Sequence, residues 1–411
     1  MAILSVNAGS SSLKFSLHAW DGGAGIGRTL LVGAIEGLEP QGQPAWRCRV
    51  PGAATASSGV LASDTGESCG ASSGAIHLHQ AALAKLQSLI AQHAQVPVRA
   101  VSHRVVHGGA QFRSAVRVDD AVLAQLRTLQ SLAPLHQPHN LAGIDLLRQA
   151  WPAVPQVACF DTAFHATQSA LEQRFALPDA LHAQGVRRYG FHGLSYQFIA
   201  QTLRQHTPRA QGRLLMAHLG NGTSLCGAIG GESHTSSMGF SALDGLMMGT
   251  RSGALDPGVL LWLMEQGWTR ERIERLLYRE SGLLGVSGLS ADMRRLREAA
   301  AGGHERAQLA IDLFTHRIVR ECGAVAAVLQ GLDVIAFSGG IGEHDAPLRS
   351  DVAQRLQWLG VRIDEAANRA ATGDVGRAIH AAGSAVELWV VPTDEGVVAA
   401  QQAARCLSAC A

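Results

Sequence analysis

The chain has 411 residues, 47% of them hydrophobic, with 34 basic and 33 acidic residues for a formal net charge of +1. That length calls for more than one hydrophobic core, and about two to three domains are expected. The charge balance leaves no basic stripe for nucleic acid, and no run of about 18 apolar residues marks a membrane span.

The first residues, Met1-Ala2-Ile3-Leu4-Ser5-Val6-Asn7, carry no basic region and turn polar too early for a signal peptide. The seven cysteines, among them Cys48, Cys159, Cys226 and Cys322, form no Cys-x-x-Cys pair. Both points predict reduced thiols in a cytoplasmic protein.

Apolar alternation predicts strands at 2–7, 13–19, 29–35, 98–105, 155–160, 212–219, 224–230, 333–338 and 386–391. Helical spacing predicts helices near 76–95, 119–131, 140–150, 195–206, 257–267, 270–279, 304–330 and 395–408. Asp256-Pro257 is a start signal, an N-cap followed by proline at the first helical position. Mixed strands and helices predict an α/β architecture. Residues 40–75 are rich in Gly, Ala, Ser and Pro and read as long loops or weak edge strands.

Two strand–turn–strand units echo one another at half the chain length, Asn7-Ala8-Gly9-Ser10-Ser11-Ser12-Leu13 and Gly220-Asn221-Gly222-Thr223-Ser224-Leu225. Either the chain holds two similar halves, or two ordinary hairpins share a taste for small turn residues. A third small-residue turn, Ser338-Gly339-Gly340-Ile341-Gly342-Glu343, follows the apolar strand Val334-Ile335-Ala336-Phe337. Such turns let backbone N–H groups converge on phosphate. None matches the Walker or dinucleotide pattern. Lys14, in a chain whose only other lysine is Lys85, supplies a compact point charge suited to phosphate.

Six further segments are dense in Arg, His and Gly without core periodicity: Ser102–Gly109, Leu132–Pro138, Cys159–His165, Tyr189–Gly193, Met248–Gly253 and Val391–Glu395. With the glycine turns they resemble the acetate kinase family, the acetokinase branch of the actin/Hsp70/sugar-kinase superfamily, from Asn7 to Glu395. The resemblance implies a two-domain actin-like, ribonuclease H-like α/β fold with duplicated β-rich cores around a cleft, assembled as a homodimer. The expected division is 1–160 with 397–411 on the acyl side and 161–396 on the nucleotide side.

By the same resemblance, Asn7 and Glu395 hold Mg²⁺, with Mn²⁺ as an alternative. Lys14, the turn His218-Leu219-Gly220-Asn221-Gly222, the segment Asp292-Met293-Arg294 and the turn Gly339-Gly340-Ile341-Gly342-Glu343 bind ATP or ADP. Arg104 binds the substrate carboxylate. Asp161, His136, His192 and Arg251 are the catalytic set, and Val106, Leu135, Phe191 and Ala242 line the acyl pocket.

The implied reaction is phosphoryl transfer between ATP and acetate. A carboxylate is already a nucleophile at neutral pH, so the chemistry calls for charge neutralisation and positioning more than for a general base. Ala242 departs from the family, standing where a pocket proline is found, and this leaves acetate against propionate open. The alternatives are a propionate kinase of the same family, a non-catalytic actin-like ATP switch, or a serine hydrolase. The serine hydrolase lacks a G-x-S-x-G elbow.

Overall fold

The computed structural model describes residues 1–9, 11–38, 42–53, 55–61, 71–373 and 375–409, with the side chains of 71–77 and 79 left aside. The chain divides into two units, Met1–Ala163 with Asp394–Ala411, and Phe164–Thr393. Asp161 and Glu395 therefore belong to the first unit, not to the second as the expected boundaries had them. Local bonding explains the shift. Asp161 donates its amide to Val105 O at 3.1 Å, Thr162 Oγ1 accepts Gly108 N, and Asp394 caps a helix packed on the first sheet.

The first unit is built on an eight-stranded sheet of β1 (Ala2–Ala8), β2 (Ser12–Ala19), β3 (Thr29–Glu36), β4 (Ala45–Arg49), β5 (Ser57–Val60), β6 (Val98–Val105), β7 (Val116–Arg117) and β8 (Gln156–Phe160). Their order is β5-β4-β3-β2-β1-β6-β8-β7. β1 and β8 are apolar along almost their whole length, as befits strands covered on both faces. The helix Glu395–Ser408 lies on β1, β6 and β8. Its buried face is Val398, Ala399, Ala400, Ala403 and Ala404, small side chains that let helix and sheet approach closely.

The second unit holds β9 (Arg213–Leu219), β10 (Thr223–Ile229), β11 (Glu232–Ser236), β12 (Val334–Ser338), β13 (Arg377–Ala378) and β14 (Glu387–Val390), in the order β11-β10-β9-β12-β14-β13. Its core includes Phe314, Ile318 and Cys322 of the long helix Glu305–Leu329, packed with Leu215, Ile335 and Phe337.

Stripped of β4 and β5, the two sheets share one topology. In each, three antiparallel strands (β3-β2-β1, β11-β10-β9) are followed by two parallel ones (β6-β8, β12-β14) and a short antiparallel edge (β7, β13). The half-length echo is thus both a duplication and a pair of hairpins. This is the duplicated ribonuclease H-like α/β fold.

Differences from expectation lie where the local signal is short. Residues 45–49 and 57–60 form the two outer strands on one side of the first sheet, in line with the weak-edge-strand reading of 40–75, residues 62–70 lie outside the described residues, and the next helix runs Ala71–His93 rather than from 76. The segment Gly339–His344, expected as a turn, is a short helix. Among the described residues no helix is long and apolar enough to cross a membrane.

Candidate active site

In the first unit the expected residues gather where strands end. Asn7 lies near the end of β1 and pairs in register with Lys14 on β2, across the hairpin closed by Gly9 N to Ser12 O at 2.8 Å. Arg104, one residue before the end of β6, makes a two-point contact with Asp161, just beyond β8: Nε to Oδ1 at 3.0 Å and Nη2 to Oδ2 at 2.6 Å. Its Nε also lies 3.3 Å from Glu395 Oε2. Asp161 is 1% exposed, Arg104 18% and Glu395 21%. Burial alone would lower the guanidinium's pKa. The Asp161 and Glu395 charges and the Asp161 hydrogen bond outweigh it, so the pKa lies above its ordinary value and the charge is permanent.

His136 is the N-cap residue of the helix Gln137–Ala150, and Leu135 beside it is half-buried. Val106 is buried, and its amide donates to Asn140 Oδ1 at 3.0 Å. Asn140 Nδ2 in turn reaches Ala8 O at 2.7 Å, the carbonyl next to Asn7. Gln137 completes the bracket, taking His107 N at 3.1 Å and giving to His107 O at 3.0 Å. Sequence reasoning missed Gln137 and Asn140. The available signal was a polar pair at i and i+3 on a helix face shared with Leu141 and Ile144.

In the second unit two glycine segments meet. β9 and β12 run parallel, with His218 opposite Ser338, so the turn after β9 and the helix start after β12 leave the same sheet end. A Cβ on Gly339 (φ +75) would come 2.7 Å from Leu219 O, which restricts this position to glycine. Gly340 N lies 3.9 Å from where a Gly220 Cβ would stand. Glu343 turns its carboxylate inward, Oε1 accepting from Gly339 N at 2.9 Å, Thr393 N at 3.2 Å and Ser338 Oγ at 3.4 Å. Burial raises its pKa, opposed by those backbone donors. It braces the loop.

The fully buried Arg349 holds the same segment from behind, donating to Gly342 O at 2.9 Å and Glu343 O at 2.8 Å. Asp292 caps the helix Met293–Ala301 by accepting Arg294 N at 2.9 Å. Arg294 folds back on Asp292 through Nη2 at 2.7 Å, the geometry of a capped helix start.

His192 carries φ +59, a left-handed conformation uncommon outside glycine and held at the start of the helix Gly193–His206. Its Nδ1 lies 2.8 Å from Ser224 Oγ, and Tyr196 OH bonds the same serine. The His192 and His218 rings are 4.4 Å apart, with His218 Nδ1 2.8 Å from Ser195 Oγ. Ser195, Tyr196 and Ser224 orient both imidazoles, and nothing in single-residue spacing marked them. Phe191 is buried and its carbonyl accepts from His165 Nε2 at 2.9 Å.

Arg251 sits in the irregular stretch between β11 and the helix Pro257–Glu265, with Nη1 2.9 Å from Ala242 O. Its loop is gripped by the start of the helix Gly282–Ser287: Ser281 N meets Thr250 O at 3.0 Å and Leu283 N meets Met248 O at 2.9 Å.

A repeated ribonuclease H-like sheet with glycine segments at one sheet end is the architecture of the actin-like α/β class. The sequence model of the acetokinase family matches residues 2–401. The chain belongs to the acetokinase family, and it is an enzyme. It is 52% identical over 309 residues to an acetate kinase of Rhodopseudomonas palustris, covering 74% of this chain and 76% of that one. It is 40% identical over 412 residues to a propionate kinase of Citrobacter rodentium, covering 98% and 96%. The crystal structure of Porphyromonas gingivalis acetate kinase superposes with a TM-score of 0.84 at 34% identity, over 99% of each chain.

Proposed function

We propose that this enzyme transfers the γ-phosphoryl group of ATP to acetate, giving acetyl phosphate and ADP, and runs the reverse reaction. Support comes chiefly from the family match across residues 2–401, with every charged residue of the expected site present. A carboxylate oxygen attacks the γ-phosphorus in line. The new O–P bond forms as the bond to the β,γ-bridging oxygen breaks, and ADP leaves with the electron pair. No proton need move at neutral pH.

Arg104 and Arg251 bind and neutralise the reacting anions, and His192, fixed by Ser224, donates to the transferring group. Asp161 orients Arg104 through the two-point contact and is not asked to take a proton. The main chain at 218–222 and 339–343, with Lys14, receives the nucleotide phosphates, and 292–294 the adenosine side.

The donor set suits Mg²⁺. Among the described residues no three or more His, Cys, Asp or Glu side chains form a metal cluster. One carboxylate and one amide, Glu395 and Asn7, are enough for an ion that keeps most of its waters. Mn²⁺ would take the same donors. Bound there, the ion supplies charge neutralisation on the phosphates.

Propionate is the second reading, favoured by Ala242 in the pocket wall and by the propionate kinase relative. A homodimer is supported by the exposed apolar side chains of the helix Pro257–Glu265, where Leu261, Trp262 and Met264 are 62%, 57% and 53% exposed. The free cysteines among the described residues support a cytoplasmic setting. The deciding experiment measures ADP formation from Mg-ATP with acetate, propionate and butyrate. Turnover with acetate supports the proposal, and no turnover with any of the three overturns it.

A further inference from the structure

Two irregular segments of the second unit carry the groups assigned to substrate: 188–192, with Phe191 and His192, and 237–254, with Ala242 and Arg251. Neither is held by a regular ladder, so side chains and isolated backbone bonds must fix them. We propose that Arg188 and Asp244 form a clamp that positions the Ala242 wall and Arg251 against the Phe191–His192 segment, and so sets binding of the carboxylate substrate. This rests on the carboxylate-kinase reading above.

The geometry is specific. Arg188 spreads its guanidinium fork over two acceptors, Nη2 to Ser236 O at the end of β11 at 2.8 Å and Nη1 to Asp244 Oδ2 at 3.3 Å. Asp244 uses its other oxygen to accept Gly245 N at 2.8 Å. The backbone follows the same seam, with Tyr189 N to Gly239 O at 2.9 Å. Gly239 leaves room for the pair, because a Cβ there would stand 2.6 Å from Asp244 Oδ2 and 3.0 Å from Arg188 Nη1 and would push the two side chains aside.

From Asp244 the link to the chemistry is short. Ala242 lies two residues back, and its carbonyl accepts Arg251 Nη1 at 2.9 Å. On the other side, Arg188 lies three residues before Phe191 and four before His192. The helix Glu305–Leu329 adds a second acidic neighbour. Burial raises the pKa of Glu321 there, Arg188 opposes the rise and Asp244 adds to it. Arg188 is thus a cation shared between Asp244 and Glu321 at the seam. The pair is partly exposed, 22% and 34%, so it contributes little to global stability. Its work is local.

Arg188→Ala and Asp244→Asn should each raise the KM for acetate about tenfold, since small displacements of positioning groups cost that much or more. The KM for ATP and the unfolding midpoint should stay near those of the unaltered protein. The double variant should be no worse than the more impaired single one, because both remove the same contact. Arg188→Lys should recover only part, since an ammonium cannot span both acceptors.

Hydrogen–deuterium exchange on the unliganded protein gives a readout independent of the reaction: both single variants should lose protection across 237–251. Unchanged acetate KM, equal rises in both KM values, additive losses, or unchanged exchange would each overturn the clamp. If the unaltered protein phosphorylates no carboxylate, the functional reading fails on its own, and exchange alone then decides whether the clamp exists.

Discussion

Arg104 and Asp161 meet through two parallel hydrogen bonds at the ends of neighbouring parallel strands, with the carboxylate 1% and the guanidinium 18% exposed. Arg104→Ala would leave a buried carboxylate without its cation. The variant should lose at least about a hundredfold in turnover through the missing donor. It should also lose about 3–5 kcal/mol of stability, the usual cost of breaking a buried ion pair by removing one member. Asp161→Asn keeps an acceptor and should cost less stability, while loosening Arg104 enough to raise the acetate KM. Single-turnover rates and urea unfolding separate the two effects, and a folded Arg104→Ala variant with near-normal turnover would refute the assignment.

Arg251 is held differently, by a neutral carbonyl at Ala242 and by a loop gripped through Thr250 and Met248. Arg251→Ala should therefore cost about a hundredfold in turnover with little change in the unfolding midpoint. Arg251→Lys should restore only part of the rate, because a point charge does not reproduce a planar fork. Full rescue by lysine would mean that charge alone matters at this position.

Ala242 bears on acyl size. Replacing a proline ring by a methyl group empties part of a pocket wall, and one added methylene is worth roughly 1–3 kcal/mol of discrimination. Propionate should be used within about tenfold of acetate in kcat/KM, and Ala242→Pro should shift preference toward acetate. The Arg251 contact uses the Ala242 carbonyl, which proline retains. An unchanged acid ratio in Ala242→Pro would remove the pocket argument.

Acid should unfold this protein early. His18, His103, His107 and His165 are buried, and burial pushes each pKa from 6.5 down to about 4. Below about pH 6.5 the unfolded chain takes up protons at these sites that the native chain refuses until about pH 4, so stability falls as pH falls across that window. Each histidine contributes about 1.4 kcal/mol per pH unit there. Urea unfolding at pH 7, 6 and 5 should show the decline, with a shallower slope in His103→Gln. A flat profile between pH 7 and 5 would contradict it.

Most of the architecture was legible because strong patterns coincide with deep burial. The strands 98–105 and 333–338 and the helices 270–279 and 395–408 lie within a residue of their expected bounds. The short elements were not legible. The strand Glu232–Ser236 pairs through a register shift and contains only polar residues. The helix Gly339–His344 has glycine at three of its first four positions, a residue that favours turns over helices. At the site, residue types with one dominant use (Arg104, Arg251, His192) stood out. Asn140, Gln137, Ser224 and Arg188 did not, because their role is to hold other groups, and that depends on contacts between segments 30 or more residues apart.

The division of the chain also sets an order of assembly. Residues 164–393 form one uninterrupted stretch, whereas the first unit needs the helix Glu395–Ser408 to cover β1, β6 and β8. A ribosome makes that helix only after residues 164–393. Nascent chains usually fold from their amino-terminal unit onward, but here the later-made unit can close its core while the earlier one waits with an apolar sheet face uncovered. Chaperone demand during synthesis should therefore centre on residues 1–163, and a stop codon just before Asp394 should cripple the unit that was made first.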